Sequence, residues 1–177
     1  MQDYKIELRP EVLIELRRSG IAGIGVFAVS AIRRDRKIAD GLSAGDFETL
    51  IPWSRLDRFD TATRKKIRDF CIGTPKGFVP PENFDFNKLA VEWYFNHSCN
   101  GNVGFDQDGD FVTIRNIKKG RELTYDYGLA ESNPRFKMRC NCGTKKCRKV
   151  ITGNDWKKKE FRRTRIEYML PQLRNSG

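Results

Sequence analysis

Three cysteines within eight residues, Cys140-Asn-Cys142-Gly-Thr-Lys-Lys-Cys147, constrain the fold of this chain more than any other feature. Structural zinc takes four ligands in a tetrahedron, mostly thiolates and imidazoles, and a C-x-C-x4-C run supplies only three. A fourth must come from elsewhere in the chain. The candidates of the usual type are Cys99, Cys71 and His97, the single histidine in 177 residues. Whichever completes the set, the metal staples the C-terminal region to a distant segment. Zinc binding contributes on the order of 10 kcal/mol in small sites, enough to hold such a tail in place. The odd cysteine count and their crowding favour metal over disulfides, and the polar start Met-Gln-Asp-Tyr-Lys-Ile does not read as a signal peptide, so an intracellular protein is expected.

His97 lies in the run Glu92-Trp-Tyr-Phe-Asn96-His97-Ser98-Cys99-Asn-Gly-Asn102. Any chemistry that needs imidazole must happen there, although a lone histidine beside aromatics also serves as an ordinary core residue. The length suits one domain with small appendages, and no apolar run approaches the roughly 20 residues of a membrane span. The formal net charge is +11 and leans toward the C-terminus, where Arg135 to Arg165 holds thirteen Lys or Arg against Asp155 and Glu160. Such a run is either a solvated face or an attraction for nucleic acid, and charge alone does not separate the two.

Along the chain, Val12–Leu16 reads as a strand bounded by Pro10 and Gly20, and Val26–Val29 as another after a glycine-rich turn. Gly23, Gly25 and Ala28 formally fit the dinucleotide fingerprint G-x-G-x-x-G/A. That motif needs a helix opening at its glycines, and here a strand continues, so a Rossmann site is excluded. What the glycines offer is a bare main chain against which a small molecule can lie. Leu56, Phe59, Thr63, Ile67 and Phe70 predict a helix over 55–71 with Cys71 at its apolar edge as a core residue. Val103–Phe105 and Phe111–Arg115 read as strands joined by the turn Asp106–Asp110. The acids of that turn have the spacing of an EF-hand start, but Ile117 occupies the position that requires Glu, which excludes calcium. Leu123, Tyr125 and Tyr127 share one side of an extended segment, where two buried hydroxyls would need partners. Asn154 or Asp155 is expected to cap a basic helical tail in which Ile166, Met169, Leu170 and Leu173 have helical spacing, broken or restarted at Pro171.

Four of these segments, in this order, resemble one family. Gly23-Ile-Gly-Val-Phe-Ala28, Asn96-His-Ser-Cys99, Glu122-Leu-Thr-Tyr-Asp-Tyr-Gly128 and Cys140–Cys147 are similar to the motifs of SET-domain protein lysine methyltransferases that carry a post-SET cysteine segment. The resemblance spans about Val12 to Trp156. It implies a mainly β fold with a few helices, the SET-type β-clip of small sheets with a pseudoknot that threads the segment ending at Tyr127 beneath a loop near Asn96. The implied organisation is a SET domain over 10–130 with a variable insert at 39–90, a zinc-bound post-SET segment over 136–156, and a basic tail, helical in character, over 157–177. By the same likeness S-adenosylmethionine lies against Ile24 and Gly25, is contacted by Asn96 and His97, and meets the ring of Trp156 at its adenine. Tyr127 matches the catalytic tyrosine, and Tyr125 the position where an added hydroxyl restricts room and favours monomethylation. Cys99 joins Cys140, Cys142 and Cys147 as the fourth zinc ligand.

Two positions depart from the family pattern. Gly101 stands where proline is usual, and Trp93-Tyr94 replaces a common Arg-Phe pair; neither removes a reactive group. The implied activity is methylation of a lysine amine on a protein substrate, whether histone, histone-like, ribosomal or other. The alternative is a non-catalytic zinc module that binds nucleic acid or chromatin through its basic tail. A basic enzyme surface repels a basic peptide unless acidic residues line the groove, so the charge is expected to serve a nucleic-acid-containing target instead.

Overall fold

The computed structural model describes residues 11–81 and 84–176. Its main sheet has the strand order β1-β2-β10-β8-β9-β3, with β7 pairing β10 off that path. Strands β1 (Ile14–Arg18) and β2 (Ile24–Ala28) form an antiparallel hairpin, Ile14 opposite Ala28. Gly23 takes φ +47° at its turn, a left-handed conformation that costs a glycine nothing. The predicted first strand is displaced by two residues, and as an edge strand it leaves Val12 and Leu16 exposed. Strands β8 (Val103–Phe105) and β9 (Phe111–Thr113) pair antiparallel, and their turn is closed by Asp106 Oδ1, which accepts from Asp108 N and Asp110 N at 2.9 Å each. The short β3 (Lys37–Ala39) adds to β9.

Strand β10 (Glu122–Tyr125) organises the rest. Glu122 and Leu123 pair with β2, while Thr124 and Tyr125 pair in parallel with β7 (Asn96–His97). The loop after β7 returns to the same strand: Ser98 N donates to Tyr125 O and Asn102 N to Thr124 O. Residues 96–103 therefore bracket β10 from both sides, the arrangement that the expected threading requires. Leu123, Val26, Val103 and Phe105 are fully buried around it and form the centre of the main core. The expected extended run ends at Tyr125, because Asp126 accepts from Gly128 N and starts a 3-10 turn, Tyr127–Leu129.

A smaller sheet of order β4-β6-β5 comprises β4 (Ile51–Pro52), β5 (Ile72–Gly73) and β6 (Gly77–Val79). The helix predicted over 55–71 is two pieces, a 3-10 turn Trp53–Arg58 and α1 (Thr61–Phe70). Asp60 separates them by accepting from Thr63 N at 3.0 Å and Thr63 Oγ1 at 2.7 Å. An aspartate that caps an N-terminus this way satisfies donors that a continuous helix would not leave open. The apolar spacing still runs through the break because Leu56, Phe59 and Ile67 pack into one satellite cluster with Ile51, Cys71 and Phe78.

The C-terminal third is an antiparallel pair, β11 (Lys137–Arg139) with β12 (Val150–Thr152), that carries the cysteine loop between its strands. A 3-10 turn Asp155–Lys157, α2 (Lys159–Arg165), a 3-10 turn Ile166–Tyr168 and α3 (Pro171–Arg174) follow. The expected restart falls at Pro171, the first residue of α3, where the missing N–H is not needed. Neither Asn154 nor Asp155 caps the following turn through its side chain; Asp155 instead accepts from Thr152 and Lys158. Phe161, Met169, Leu170 and Leu173 are buried in the main core, and Leu170 N donates to Leu129 O. Among the described residues no helix is long and apolar enough to cross a membrane.

Candidate active site and metal centre

The bracket around β10 delivers Cys99 to the cysteine loop. The Sγ atoms of Cys99, Cys140, Cys142 and Cys147 all lie within 4.8 Å of one another, with Cys99 and Cys140 at 3.7 Å. A zinc tetrahedron with Zn–S bonds of about 2.3 Å has edges of about 3.8 Å, so the four thiols suit that ion. Cys71 is elsewhere, in the satellite cluster, its thiol pushed up to about 12 by burial. His97 is adjacent to the sulfurs without joining them. Its Nδ1 accepts from Tyr127 N at 3.1 Å, which leaves the proton of the neutral ring on Nε2, 3.4 Å from Cys99 Sγ. Burial pushes His97 down to about 4, so the ring is neutral and its Nε2–H would serve as an outer donor to the Cys99 thiolate of a filled metal site.

A second tie runs through Arg148, the residue after Cys147. Its guanidinium donates twice to Asp126 at 2.6 Å and sits 3.2 Å from Asp155. Burial opposes its charge, but the Asp126 carboxylate raises its pKa above the ordinary value. Asp126 and Asp155 are both almost fully buried, and a buried carboxylate without a partner is costly. In the sequence Asp155 reads only as a helix cap, Asp126 only as part of a motif, and Arg148 as one of many basic residues. The usable signal was local: a single arginine beside the last cysteine and an acid between two motif tyrosines.

Tyr125 and Tyr127 pack with ring centroids 4.8 Å apart and planes tilted by 42°, and both line a narrow pocket of about 80 Å³. Phe95, Phe111 and Trp93 supply apolar wall, and residues 68–72 at the end of α1 and in β5 form the opposite side. Tyr127 Oη donates to Phe95 O at 3.1 Å; Tyr125 Oη has no hydrogen-bond partner among the described residues. Both phenols are raised above their ordinary range, Tyr125 by burial and then by Tyr127 and Glu131, Tyr127 by burial and then by Glu122. They are neutral hydroxyls at physiological pH. Three carboxylates line the same pocket, Asp69, Glu92 and Glu131, against one cation, Arg68. Burial pushes Glu131 up to about 7 even though it accepts from Gly73 N and Asn133 N, and burial also raises Glu92.

The other predicted site residues gather at the β1–β2 turn. Asn96 Nδ2 lies 3.1 Å from both Ala22 O and Ile24 O and 2.9 Å from Glu122 Oε1, which also accepts from Ser19 Oγ at 2.7 Å. A Cβ on Gly25 would overlap that carboxylate, so glycine is required there by close approach. Ile24 is 50% exposed and nothing stands within 4 Å of where a Gly23 side chain would begin, leaving this main chain open to a ligand. Glu122 was quoted as part of a motif without a role; it anchors the turn. Trp156 stands apart in character. It is 8% exposed, its ring belongs to the main core, and its Nε1 has no partner among the described residues.

The mainly β architecture, the bracketed β10 and the four-cysteine centre define a protein of one class. Residues 23–128, more than half of the chain, match the SET domain, and the chain belongs to that family. Over 147 residues it is 28% identical to histone-lysine N-methyltransferase ASHR3 of Arabidopsis thaliana, covering 78% of this chain and 28% of that protein. It is 36% identical over 93 residues to histone-lysine N-methyltransferase ash1 of Drosophila melanogaster, covering 48% of this chain and 4% of that protein. A 63-residue match to human histone-lysine N-methyltransferase 2D is 43% identical, covering 32% of this chain and 1% of that protein. The chain thus spans less than a third of the length of each of these relatives.

Proposed function

We propose that this chain is a protein-lysine N-methyltransferase that takes its methyl group from S-adenosylmethionine, with Tyr127 and Tyr125 at the reacting end of the pocket and zinc on Cys99, Cys140, Cys142 and Cys147. The observation that carries the proposal is the narrow aromatic pocket, with two neutral tyrosine hydroxyls inside it and carboxylates along its wall. S-adenosylmethionine supplies an electrophilic sulfonium methyl when bound. The residues that would hold it are the open main chain at Ile24 and Gly25, the main chain of His97, and Asn96, whose amide nitrogen is occupied by Ala22, Ile24 and Glu122 and whose Oδ1 is left for a ligand. Trp156 offers such a ligand only its one open edge. The domain division follows the same reading: a SET domain over 10–130 with its insert at 39–90, a post-SET segment over 136–156, and 157–177 as a tail folded back on the SET core.

A lysine amine attacks only when neutral, and with an ordinary pKa near 10.4 its deprotonation at pH 7 costs about 4 to 5 kcal/mol. Asp69, Glu92 and Glu131 draw the ammonium to the mouth, while the aromatic walls strip its water and favour the neutral form deeper in. Tyr127, held to Phe95 O, fixes a hydroxyl oxygen in place without a side-chain rearrangement. Tyr125 fills space with an unpartnered hydroxyl beside it, which supports transfer of a single methyl group. The printed names of the relatives make a histone the first substrate to offer. Incubation with labelled S-adenosylmethionine and histones, scored by label on protein, tests the reading. Transfer that falls at least about a hundredfold in Tyr127→Phe supports it; transfer unchanged by that substitution, or no cofactor binding at all, overturns it in favour of a non-catalytic module.

A further inference from the structure

Sharing no lining residue with the tyrosine pocket, the tail and the 100–103 loop line a second cavity of about 570 Å³. Its rim carries Arg115, Lys146, Arg148, Lys158 and Arg165 against two carboxylates, Asp126 and Glu160. Both carboxylates are already engaged: Asp126 by the two 2.6 Å bonds from Arg148, with Arg165 Nε at 3.5 Å, and Glu160 by Arg163, which lies off the rim. Lys158 is held by Asp155 at 2.6 Å. Arg115 and Lys146 are left with no acidic partner among the described residues; Arg115 donates only to Asn100 Oδ1 and Gly101 O. Burial and the Arg165 charge both disfavour the Arg115 cation, and the Asp126 carboxylate that faces Arg165 is already engaged by Arg148. Beneath it, the partly exposed Ile114 and Tyr168 give an apolar floor over the buried Val103 and Leu129.

We propose that this cavity is a binding site for a nucleoside phosphate unit, the phosphate seated between Arg115, Lys146 and Arg165 and the base against the apolar floor. Guanidinium groups match phosphate oxygens in paired geometry, and a lysine adds a point charge. A simple carboxylate would neutralise one cation and leave both the second charge and the floor unmet. The same chemistry is offered by a free nucleotide or by a nucleotide within a strand, whose neighbouring phosphates the exposed Lys145 and Lys149, flanking the rim residues in sequence, would meet. No methyl transfer is involved, and the site stands or falls independently of the proposed activity.

The experiment measures binding of pyrophosphate, ATP and a short nucleic-acid duplex to the zinc-loaded full chain and to Lys146→Gln and Arg115→Gln. Lys146 is exposed and unpartnered, so its variant folds as the parent does, and the zinc content of both variants is checked. The expected result is affinity for at least one probe that falls about tenfold in each variant. If ATP binds well and the duplex no better, the source is a free nucleotide; if the duplex alone binds, and its salt dependence drops by about one charge in Lys146→Gln, the source is a strand. Failure of all three probes to bind at low salt, binding of pyrophosphate equal to that of ATP, or binding untouched by Lys146→Gln overturns the proposal.

Discussion

Glu131 is the residue whose environment is most at odds with its charge. It is 8% exposed at the wall of the tyrosine pocket, and it accepts two main-chain N–H groups. Its folded-state pKa is raised from 4.5 to about 7. Between those values the folded protein binds more proton than the unfolded one, so this group's contribution to stability is fully present below about pH 4.5 and is lost as pH rises through about 7. Glu131→Gln removes the titration. Urea unfolding of parent and variant at about pH 5 and about pH 8 should show the stability difference moving toward the variant at the higher pH, by up to about 3 kcal/mol. An unchanged difference would mean that Glu131 ionises freely. Nearby, Tyr125→Phe deletes an unpartnered hydroxyl from the pocket, and the proposed activity then predicts more di- and trimethylated product by mass spectrometry, with parent-like product ratios as the contrary result.

At the scale of elements, the β11–β12 pair is held by two independent clamps, the four thiols and the Arg148–Asp126 pair. Chelation of the metal should release the cysteine loop while leaving the main sheet, which hydrogen exchange can resolve: fast exchange at 137–152, continued protection in β2, β8 and β10. Arg148→Ala leaves Asp126 buried with only the distant Arg165, a change expected to cost about 3 to 5 kcal/mol, read as a fall in the unfolding midpoint. The sequence made three thiols legible by their C-x-C-x4-C spacing, while the fourth stayed open between Cys99, Cys71 and His97 except by resemblance, because only the pairing of β7 with β10 carries Cys99 to the loop. It made the β8–β9 hairpin legible because an Asp-rich turn separates two short apolar runs. It did not reveal the split helix, since the satellite core keeps one apolar spacing through both pieces and only the Asp60 cap breaks them. The carboxylates Glu92 and Glu131 were equally hidden: they lie at sequence positions without a period, and only the pairing of β7 with β10 and the bond from Gly73 N to Glu131 bring both to the pocket of Tyr125.

For the whole molecule, the C-terminal tail is the feature that charge alone misdescribes. Its basic residues suggest a solvated arm, yet Met169 and Leu170 are fully buried and the chain crosses the β8–β9 face. Leu170→Ala should therefore destabilise the entire domain by about 2 to 5 kcal/mol, with a single cooperative transition in urea; a separate early transition of small amplitude would mean an independent arm. The tail, the cysteine loop and the Asn96–Cys99 segment form one mechanical unit: Asn96 fixes the open turn at Ile24, His97 bridges Tyr127 to Cys99, and Cys99 joins the four-thiol cluster. The central claim is that metal centre and cofactor pocket are two ends of that unit. Zinc content and S-adenosylmethionine affinity, measured on the same sample of Cys99→Ser, test it most directly. The account predicts that both fall together; loss of zinc with parent-like cofactor affinity would contradict it.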